Sequence, residues 1–256
     1  MNKSKKLFLL IISFLIFFTS CVSKKQVLYM QDINTSDISK IFSSENLLQE
    51  NDILKIDVTS FEMNASIPYN KVVPGNGMVN STDILQLNGY LVSKNNTINF
   101  PVLGEISVKE KTTKDLEDFL KQRLESEGHL IKPSVSVRLL NAKITILGEV
   151  KKPGTYTFTE NNITLLQALG LAGDLSIDGN RKNIILIRES NGKRTTVNLD
   201  LTSASFLASH YQNIQPNDVI IVNPNSKKIT SAGLIGNIST FLSIASILLS
   251  TIILIK

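Results

Sequence analysis

The chain has 256 residues, of which 42% are hydrophobic and 19% charged, so one or two domains with a buried core are feasible. The formal net charge is +5, but it falls to +2, from 24 basic and 22 acidic side chains, once the first 20 residues are set aside. No basic stripe with interleaved aromatic residues then remains, which argues against a nucleic-acid partner.

Residues 1–20 have the pattern of a secretion signal. A basic start precedes an apolar segment, Leu7 to Phe18, that is too short to span a bilayer comfortably. Cys21, the single cysteine, directly follows small residues, and a lone cysteine cannot form an intramolecular disulfide. A thiol used for lipid attachment fits this position, and an incidental cysteine behind an ordinary signal is the alternative. Residues 21–48 are interpreted as the N-terminus and a polar tether.

A first α+β unit is predicted over residues 49–142. The turn Asn51-Asp52 precedes its first strand, and short strands follow between residues 91 and 108. Another turn is predicted at Gly104-Glu105, inside this series of strands. Residues 60–87 have weak periodicity and receive no assignment.

The clearest helix of the globular part follows these strands. Thr112 and Asp115 have the spacing of a capping box, and Gly128 marks the end of the helix. One apolar face is formed by Leu116, Phe119, Leu120 and Leu124. The charged opposite face is interpreted as solvated.

A second α+β unit is predicted over residues 143–224, and it opens with a hairpin. Alternating apolar residues lie on both sides of a turn that contains Gly148, Glu149, Pro153 and Gly154. A capping box of Thr164 and Gln167 then predicts a short helix, and two strands follow, joined at Asn191-Gly192. The turn Asn217-Asp218 leads into the last strand.

Two short motifs occur in both units. Leu-Gly-Glu ends at Glu105 in the first unit and at Glu149 in the second, and Asn51-Asp52 is repeated as Asn217-Asp218. We interpret the chain as two related α+β units in tandem. The repeats have no fixed period, so a solenoid is not indicated.

The segment 225–256 is predicted to contain a membrane helix. From Gly233 to Ile255 there are 23 residues without a charge, which is long enough to span a bilayer as a helix. Small polar residues form one stripe along it: Asn237, Ser239, Thr240, Ser243, Ser246 and Ser250. The stripe is either a close contact between helices or the wall of a channel formed by several copies.

Signatures of catalysis are missing from the sequence. His129 and His210 have no partner at metal-ligand spacing, and no glycine-rich phosphate loop or nucleophile elbow occurs. Glu105 and Glu149 are interpreted as parts of repeated turns and not as an acid/base pair. We therefore predict a non-enzyme without a metal or other cofactor.

Taken together and in order, these motifs resemble the outer-membrane polysaccharide export family of Gram-negative bacteria, the Wza-type exporters. In the first unit the resemblance rests on Asn51 to Val58, Ile98 to Val108, Thr112 to Leu116 and Lys132 to Val137. In the second unit it rests on Ile146 to Tyr156, Thr164 to Gly173 and Pro216 to Val222. Asn51 stands where the family usually has glycine, and only one β-grasp unit is visible.

The resemblance implies an α+β fold with a polysaccharide-export domain, one β-grasp domain of the SLBB type and a C-terminal transmembrane helix. It implies an outer-membrane lipoprotein acylated at Cys21, with its globular part in the periplasm. Copies would form a ring whose C-terminal helices line a pore for capsular polysaccharide or exopolysaccharide. An inner-membrane polysaccharide copolymerase and membrane lipid are the other implied partners.

Two alternative functions remain open. The tandem domains could bind glycan as a periplasmic adaptor, anchored by lipid and helix without a pore. An inner-membrane anchor for an enzyme is disfavoured, because Val22-Ser23 after the cysteine lacks an acidic retention signal.

Overall fold

A computed structural model describes residues 27–33, 46–71, 86–190, 192–231, 242–247 and 250–251. Within these residues there are two separate hydrophobic cores, one for each predicted unit. The first core includes Leu54, Phe100 and Leu120, and the second includes Ile146 and Leu186. The α+β fold class predicted from the sequence is confirmed.

The first unit contains a three-stranded antiparallel sheet in the order β2-β1-β5, a β3–β4 hairpin and helix α1. Its elements are β1 (Ile53–Thr59), a 3-10 helix (Met63–Tyr69), β2 (Tyr90–Leu91), β3 (Thr97–Phe100), β4 (Gly104–Ser107), α1 (Thr113–Ser126) and β5 (Ser134–Leu139). The 3-10 helix lies in the segment that sequence patterns left unassigned.

Helix α1 begins and ends where its sequence signals predict. The Thr112 hydroxyl accepts a hydrogen bond from the Asp115 N–H at 3.1 Å, and the Asp115 carboxylate accepts one from the Thr112 N–H at 2.9 Å. Leu116, Leu120 and Leu124 are completely buried against the sheet. Glu117 lies on the face that was expected to be solvated, but its Oε1 accepts a hydrogen bond from the Val137 N–H at 2.9 Å. This bond ties the helix to β5.

The predicted turn at Gly104-Glu105 is wrong. Phe100 pairs with Gly104, and Asn99 pairs with Glu105, so both residues of the predicted turn belong to strand β4. The hairpin loop consists of residues 101–103, where Val102 has a positive φ of 66°. Because Pro101 cannot donate a ladder hydrogen bond, it ends β3 and moves the turn towards the N-terminus.

The second unit is a five-stranded mixed sheet in the order β10-β9-β12-β6-β7, with a short β8–β11 pair beside it. Its elements are β6 (Lys143–Gly148), β7 (Gly154–Thr157), β8 (Ile163–Thr164), α2 (Leu165–Leu171), β9 (Gly179–Ser190), β10 (Lys193–Leu199), two 3-10 helices (Ala204–Ala208 and His210–Gln212), β11 (Asn213–Ile214) and β12 (Val219–Pro224). Strands β6 and β12 are parallel, and the other pairs are antiparallel.

The hairpin and the capping box predicted for this unit are present. Strands β6 and β7 pair from Lys143 with Thr157 to Ile146 with Gly154. The Thr164 hydroxyl accepts a hydrogen bond from the Gln167 backbone N–H at 3.2 Å, and the side-chain Oε1 of Gln167 accepts one from the Thr164 backbone N–H at 2.8 Å.

Residues 27–33, which lie within the segment 21–48 predicted as a tether, pack on the second unit. The tether itself remains a prediction. The Tyr29 hydroxyl donates to Asp174 at 2.5 Å, and the Arg181 guanidinium lies 5.2 Å from the centre of the Tyr29 ring. Asp32 accepts hydrogen bonds from the Ala204 N–H at 2.5 Å and from the Ser203 hydroxyl at 2.8 Å. We call residues 27–33 the N-terminal strap.

Beyond β12, helix α3 (Ser226–Ser231) follows, and residues 242–247 and 250–251 are also helical. Across the parts of the chain that the structure describes, there is no helix with the length and apolar character needed to cross a membrane. Most of the segment from Gly233 to Ile255, on which the membrane helix was predicted, lies outside the described residues. The transmembrane helix therefore remains a prediction.

Candidate functional site

The repeated Asn-Asp motif forms the same turn in both units. Asn51 and Asn217 have left-handed φ values of 70° and 68°. Asp52 Oδ2 accepts a hydrogen bond from the Gln49 N–H at 2.8 Å, and Asp218 Oδ2 accepts the equivalent bond from Gln215 at 2.8 Å. Asparagine tolerates the left-handed conformation because its short side chain hydrogen-bonds locally, so both turns form without glycine.

The two turns differ in how their carboxylates are neutralised. The Arg188 guanidinium holds Asp218 through two hydrogen bonds, Nε to Oδ1 at 3.0 Å and Nη2 to Oδ2 at 2.7 Å. Burial raises the pKa of Asp218, and the bonds from Arg188 oppose that rise. Burial also raises the pKa of Asp52, to about 6, and only the Gln49 N–H opposes it. Among the residues that the structure describes, no cation therefore stabilises the buried carboxylate of Asp52.

This difference predicts a pH-dependent stability. Because the folded-state pKa of Asp52 is about 6 and its ordinary value is 3.8, the folded chain binds more protons than the unfolded chain between these two pH values. The free energy of unfolding that Asp52 contributes must then fall as the pH rises from about 4 to 6. Asp52→Asn keeps the Gln49 hydrogen bond and removes the charge, so it should be more stable than the parent chain by about 3 kcal/mol at pH 7.5.

The measurement is the melting temperature of both proteins between pH 4 and 8. The advantage of Asp52→Asn should appear above about pH 4 and level off above about pH 6. Parallel curves for the two proteins would contradict the assignment of a raised pKa to Asp52. Asp57→Asn is the matched control, because Asp57 lies on the exposed side of β1 beside Lys55.

The two turns lie on opposite sides of a cleft between the units. The cleft has a volume of about 320 Å³ and is lined from the first unit by residues 46–49, Asp52 and 112–114. The second unit contributes residues 158–162 and 215–217. Leu139 and Ala142, at the junction of the units, form part of its apolar wall.

The repeated Leu-Gly-Glu motif forms different structures in the two units. Gly148 ends β6 with a φ of 87°, and a side-chain Cβ there would lie 2.1 Å from the Val222 carbonyl oxygen of β12. Gly104, with a φ of 75°, begins β4 and faces open space. Glu149 follows Gly148 and accepts a hydrogen bond from the Ser176 hydroxyl at 2.7 Å, which fixes the hairpin to the loop after α2.

Two family models match the chain in tandem. Residues 43–140 match the family described as polysaccharide biosynthesis/export protein, and residues 142–222 match the SLBB domain. The chain belongs to the Wza-type polysaccharide export family. We call its two units the export domain and the SLBB domain from here on.

Two curated relatives share the name EPS I polysaccharide export outer membrane protein EpsA. The protein from Ralstonia nicotianae is 32% identical over 118 residues, which are 44% of this chain and 30% of the relative. The protein from Ralstonia solanacearum is 30% identical over 138 residues, or 52% of this chain and 33% of the relative. The match thus spans about a third of the length of each relative.

Several residues predicted to be functional lie outside the described residues, namely Cys21, Asn237, Ser239 and Thr240. Ser243, Ser246 and Ser250 are described, and all three are helical and exposed. The Ser250 hydroxyl donates to the Ser246 carbonyl at 2.6 Å, and the Ser246 hydroxyl donates to that of Ser243 at 3.3 Å. The hydroxyls of Ser246 and Ser250 thus donate to carbonyls of their own helix.

The remaining candidate residues have structural roles. Pro153 lies in the β6–β7 turn, and Gly154 begins β7. His129 shares a hydrogen bond with Glu127 at 3.2 Å and packs edge-on against Tyr69. Within the described ranges, no three His, Cys, Asp or Glu side chains cluster in a way that could hold a metal ion.

Sequence patterns missed the cleft and the N-terminal strap. The cleft is formed by loops from distant parts of the chain, and its residues have no common spacing. The strap has one local signal, since Tyr29 is a large aromatic residue in a polar segment. Its partners Asp174 and Arg181 lie about 150 residues away and are found only in the folded protein.

Proposed function

We propose that this chain is an outer-membrane lipoprotein that forms an oligomeric channel for the export of capsular polysaccharide or exopolysaccharide. Cys21 carries the lipid, the export and SLBB domains lie in the periplasm, and the C-terminal helices of a ring of copies line the pore. Membership of the export family and the printed names of the two relatives support this proposal. The cargo passes through without chemical change, so the protein is not an enzyme.

The observation that carries the proposal is that the N-terminal strap and the start of α3 both contact the segment from Asp174 to Arg181 of the SLBB domain. The N-terminal strap contacts Asp174 and Arg181, and at most about 25 Å of chain separates it from Cys21. After β12, the Asn225 N–H donates to the Asp178 carbonyl at 2.7 Å, and Lys228 lies 3.5 Å from the Asp178 carboxylate. A lipid on one end and a membrane helix on the other would hold the same face of this domain against the same membrane.

The serine stripe supports a pore in preference to a simple anchor. An anchor needs only an apolar surface, and Leu242, Ile244 and Ile247 supply one, each more than half exposed. A helix that lines a water-filled channel needs a second, polar face, and Ser243, Ser246 and Ser250 supply it. Hydroxyl groups exchange hydrogen bonds with a sugar polymer without holding it at one point. The ring would also dock an inner-membrane polysaccharide copolymerase.

Removal of residues 233–256 should abolish surface polysaccharide and leave a folded protein that still carries its lipid. The readouts are surface polysaccharide on cells, membrane fractionation and the mass of the detergent-extracted particle. Unchanged export by this deletion would contradict the pore. Cys21→Ser tests the anchor separately, and it should release the protein from lipid attachment without changing the fold of either domain.

A second pair of variants distinguishes a pore wall from a helix contact. Leucine at Ser243, Ser246 and Ser250 should reduce export strongly while the ring keeps its mass, because the pore loses its polar lining. The matched control changes three apolar residues conservatively, by Leu242→Ile, Ile244→Leu and Ile247→Leu, and should export normally. A stripe variant whose particle dissociates would instead assign the serines to helix contacts.

The alternative function is a periplasmic glycan-binding adaptor that is anchored by lipid and helix without forming a pore. The polar cleft between the domains is the observation that favours it. The adaptor predicts a monomeric particle in detergent together with glycan binding by the full chain. A symmetric ring would reject it.

A further inference from the structure

The cleft between the export and SLBB domains has the position and the size of a ligand site. Such sites occur preferentially where domains meet, and cavities for small ligands have volumes of about 300–1,000 Å³. With about 320 Å³, this cleft has room for a short segment of a polymer. Neither the transport path nor the membrane attachment described above uses it.

The lining of the cleft is dominated by uncharged hydrogen-bonding groups. Amide and hydroxyl side chains come from both domains: Asn46, Gln49, Thr112, Thr113, Thr159, Asn161, Asn162, Ser190, Gln215 and Asn217. Charged side chains among the lining residues are Asp52, Lys114 and Glu160. Amides and hydroxyls each offer donors and acceptors, as the hydroxyl groups of a sugar do, whereas an anionic ligand would meet two carboxylates and one ammonium group.

Two acceptors in this lining are poorly satisfied. Asn46 Nδ2 crosses the cleft and donates to the Asn161 carbonyl at 3.0 Å, but the buried Asn46 Oδ1 has no hydrogen-bond partner among the described residues. The Asp52 carboxylate is buried and is held by the Gln49 N–H, and no cation from the described part of the chain stabilises it. Buried acceptors normally have a donor, so these two positions are suited to hydroxyl groups of a ligand.

We propose that the interdomain cleft binds a short neutral saccharide segment, whose hydroxyl groups donate hydrogen bonds to Asp52 and Asn46. The export domain supplies these two acceptors, and the amides of Gln215 and Asn217 contact the segment from the SLBB domain. A bound saccharide therefore bridges the two domains. The inference rests on the proposed function for the chemical class of the ligand, and its position and contacts rest on the cleft alone.

The test uses the full chain in detergent and oligosaccharides of three to six sugars, prepared by partial acid hydrolysis of the exopolysaccharide of the host cell. Neutral and acidic fractions are separated by ion exchange and titrated by calorimetry. We expect the neutral fraction to bind and the acidic fraction to bind more weakly. Asp52→Asn and Asn46→Ala should each raise the Kd about tenfold, since each removes an acceptor for a ligand hydroxyl.

Asn198→Ala is the matched control, because Asn198 is an exposed amide on β10 and does not line the cleft. Asp52→Asn is expected to be at least as stable as the parent chain at neutral pH, so its loss of binding cannot come from unfolding. Absence of binding to the parent chain, or binding that both cleft variants leave unchanged, would overturn the assignment. Neither result bears on the channel, which the deletion of residues 233–256 tests separately.

Discussion

Replacement of Arg188 by alanine is expected to destabilise the SLBB domain by about 3–5 kcal/mol. Arg188 is 13% exposed and Asp218 is 1% exposed, and two hydrogen bonds join them. Arg188 also donates to the Asn213 carbonyl at 2.9 Å, and its guanidinium lies 5.7 Å from the centre of the Tyr211 ring. Its removal leaves a buried carboxylate without a counter-charge at the start of β12, which must then protonate or expose itself to water.

The free energy of unfolding can be measured by hydrogen exchange of β9 and β12 amides, which reports on this domain alone. Arg194→Ala is the control, because Arg194 pairs with Glu189 at the exposed tip of the same hairpin, with side chains 70% and 61% exposed. That exposed pair should contribute less than about 1 kcal/mol. Adding Asp218→Asn to Arg188→Ala should restore part of the lost stability, since the buried charge is then gone. An equal effect of Arg188→Ala and Arg194→Ala would contradict the buried pair.

Replacement of Gly148 by alanine should have an effect of similar size, about 3–5 kcal/mol, for a different reason. The new Cβ would lie 2.1 Å from the Val222 carbonyl oxygen, and Val222 belongs to the strand that pairs with β6. Backbone atoms of a central strand cannot move aside as a flexible side chain can. The parallel β6–β12 pairing must therefore shift, and the Glu149 hydrogen bond to Val222 at 2.9 Å would be lost with it.

Gly104→Ala is the matched control for this variant. Gly104 has nearly the same φ, 75° against 87°, so both variants carry the strain of a left-handed alanine. A Cβ at Gly104 meets open space, so its cost should stay near 1 kcal/mol. The difference between the two variants, measured by hydrogen exchange in each domain, isolates the steric clash. A difference below about 1 kcal/mol would contradict the close approach of β6 to β12.

The elements that sequence patterns predicted well are those whose signals are local. Helices α1 and α2 begin at their capping boxes. The Thr112 and Thr164 hydroxyls accept hydrogen bonds from the N–H groups three residues later, and this local contact does not depend on the rest of the fold. The Asn-Asp turns could be predicted from the sequence for the same reason, because their signal is local. Each turn needs only four consecutive residues. Its asparagine has a left-handed φ, and its aspartate carboxylate accepts a hydrogen bond from the N–H three residues earlier.

Interpretation of the two Leu-Gly-Glu motifs as equivalent failed because identical triplets can occupy opposite ends of a strand. Gly148 ends β6, where a neighbouring strand approaches closely, and Gly104 begins β4 after a loop. The loop at residues 101–103 is set by Pro101, which has no N–H for the ladder. Register therefore depends on which strand lies beside each motif, and the triplet contains no information about that neighbour.

The sequence by itself determined the α+β class, the division into two tandem domains, both capping boxes and the family, because each depends on short-range spacing or on motifs in a fixed order. Only the tertiary structure decided the long-range contacts. Tyr29 and Asp32 contact the SLBB domain, and Arg188 pairs with Asp218, whereas no described cation pairs with Asp52. The fold also brings the two Asn-Asp turns to one cleft. The hydrogen bonds join residues separated by 30 to 172 positions in the sequence. The partner of each charged side chain therefore depends on which distant segment packs beside it in the folded protein.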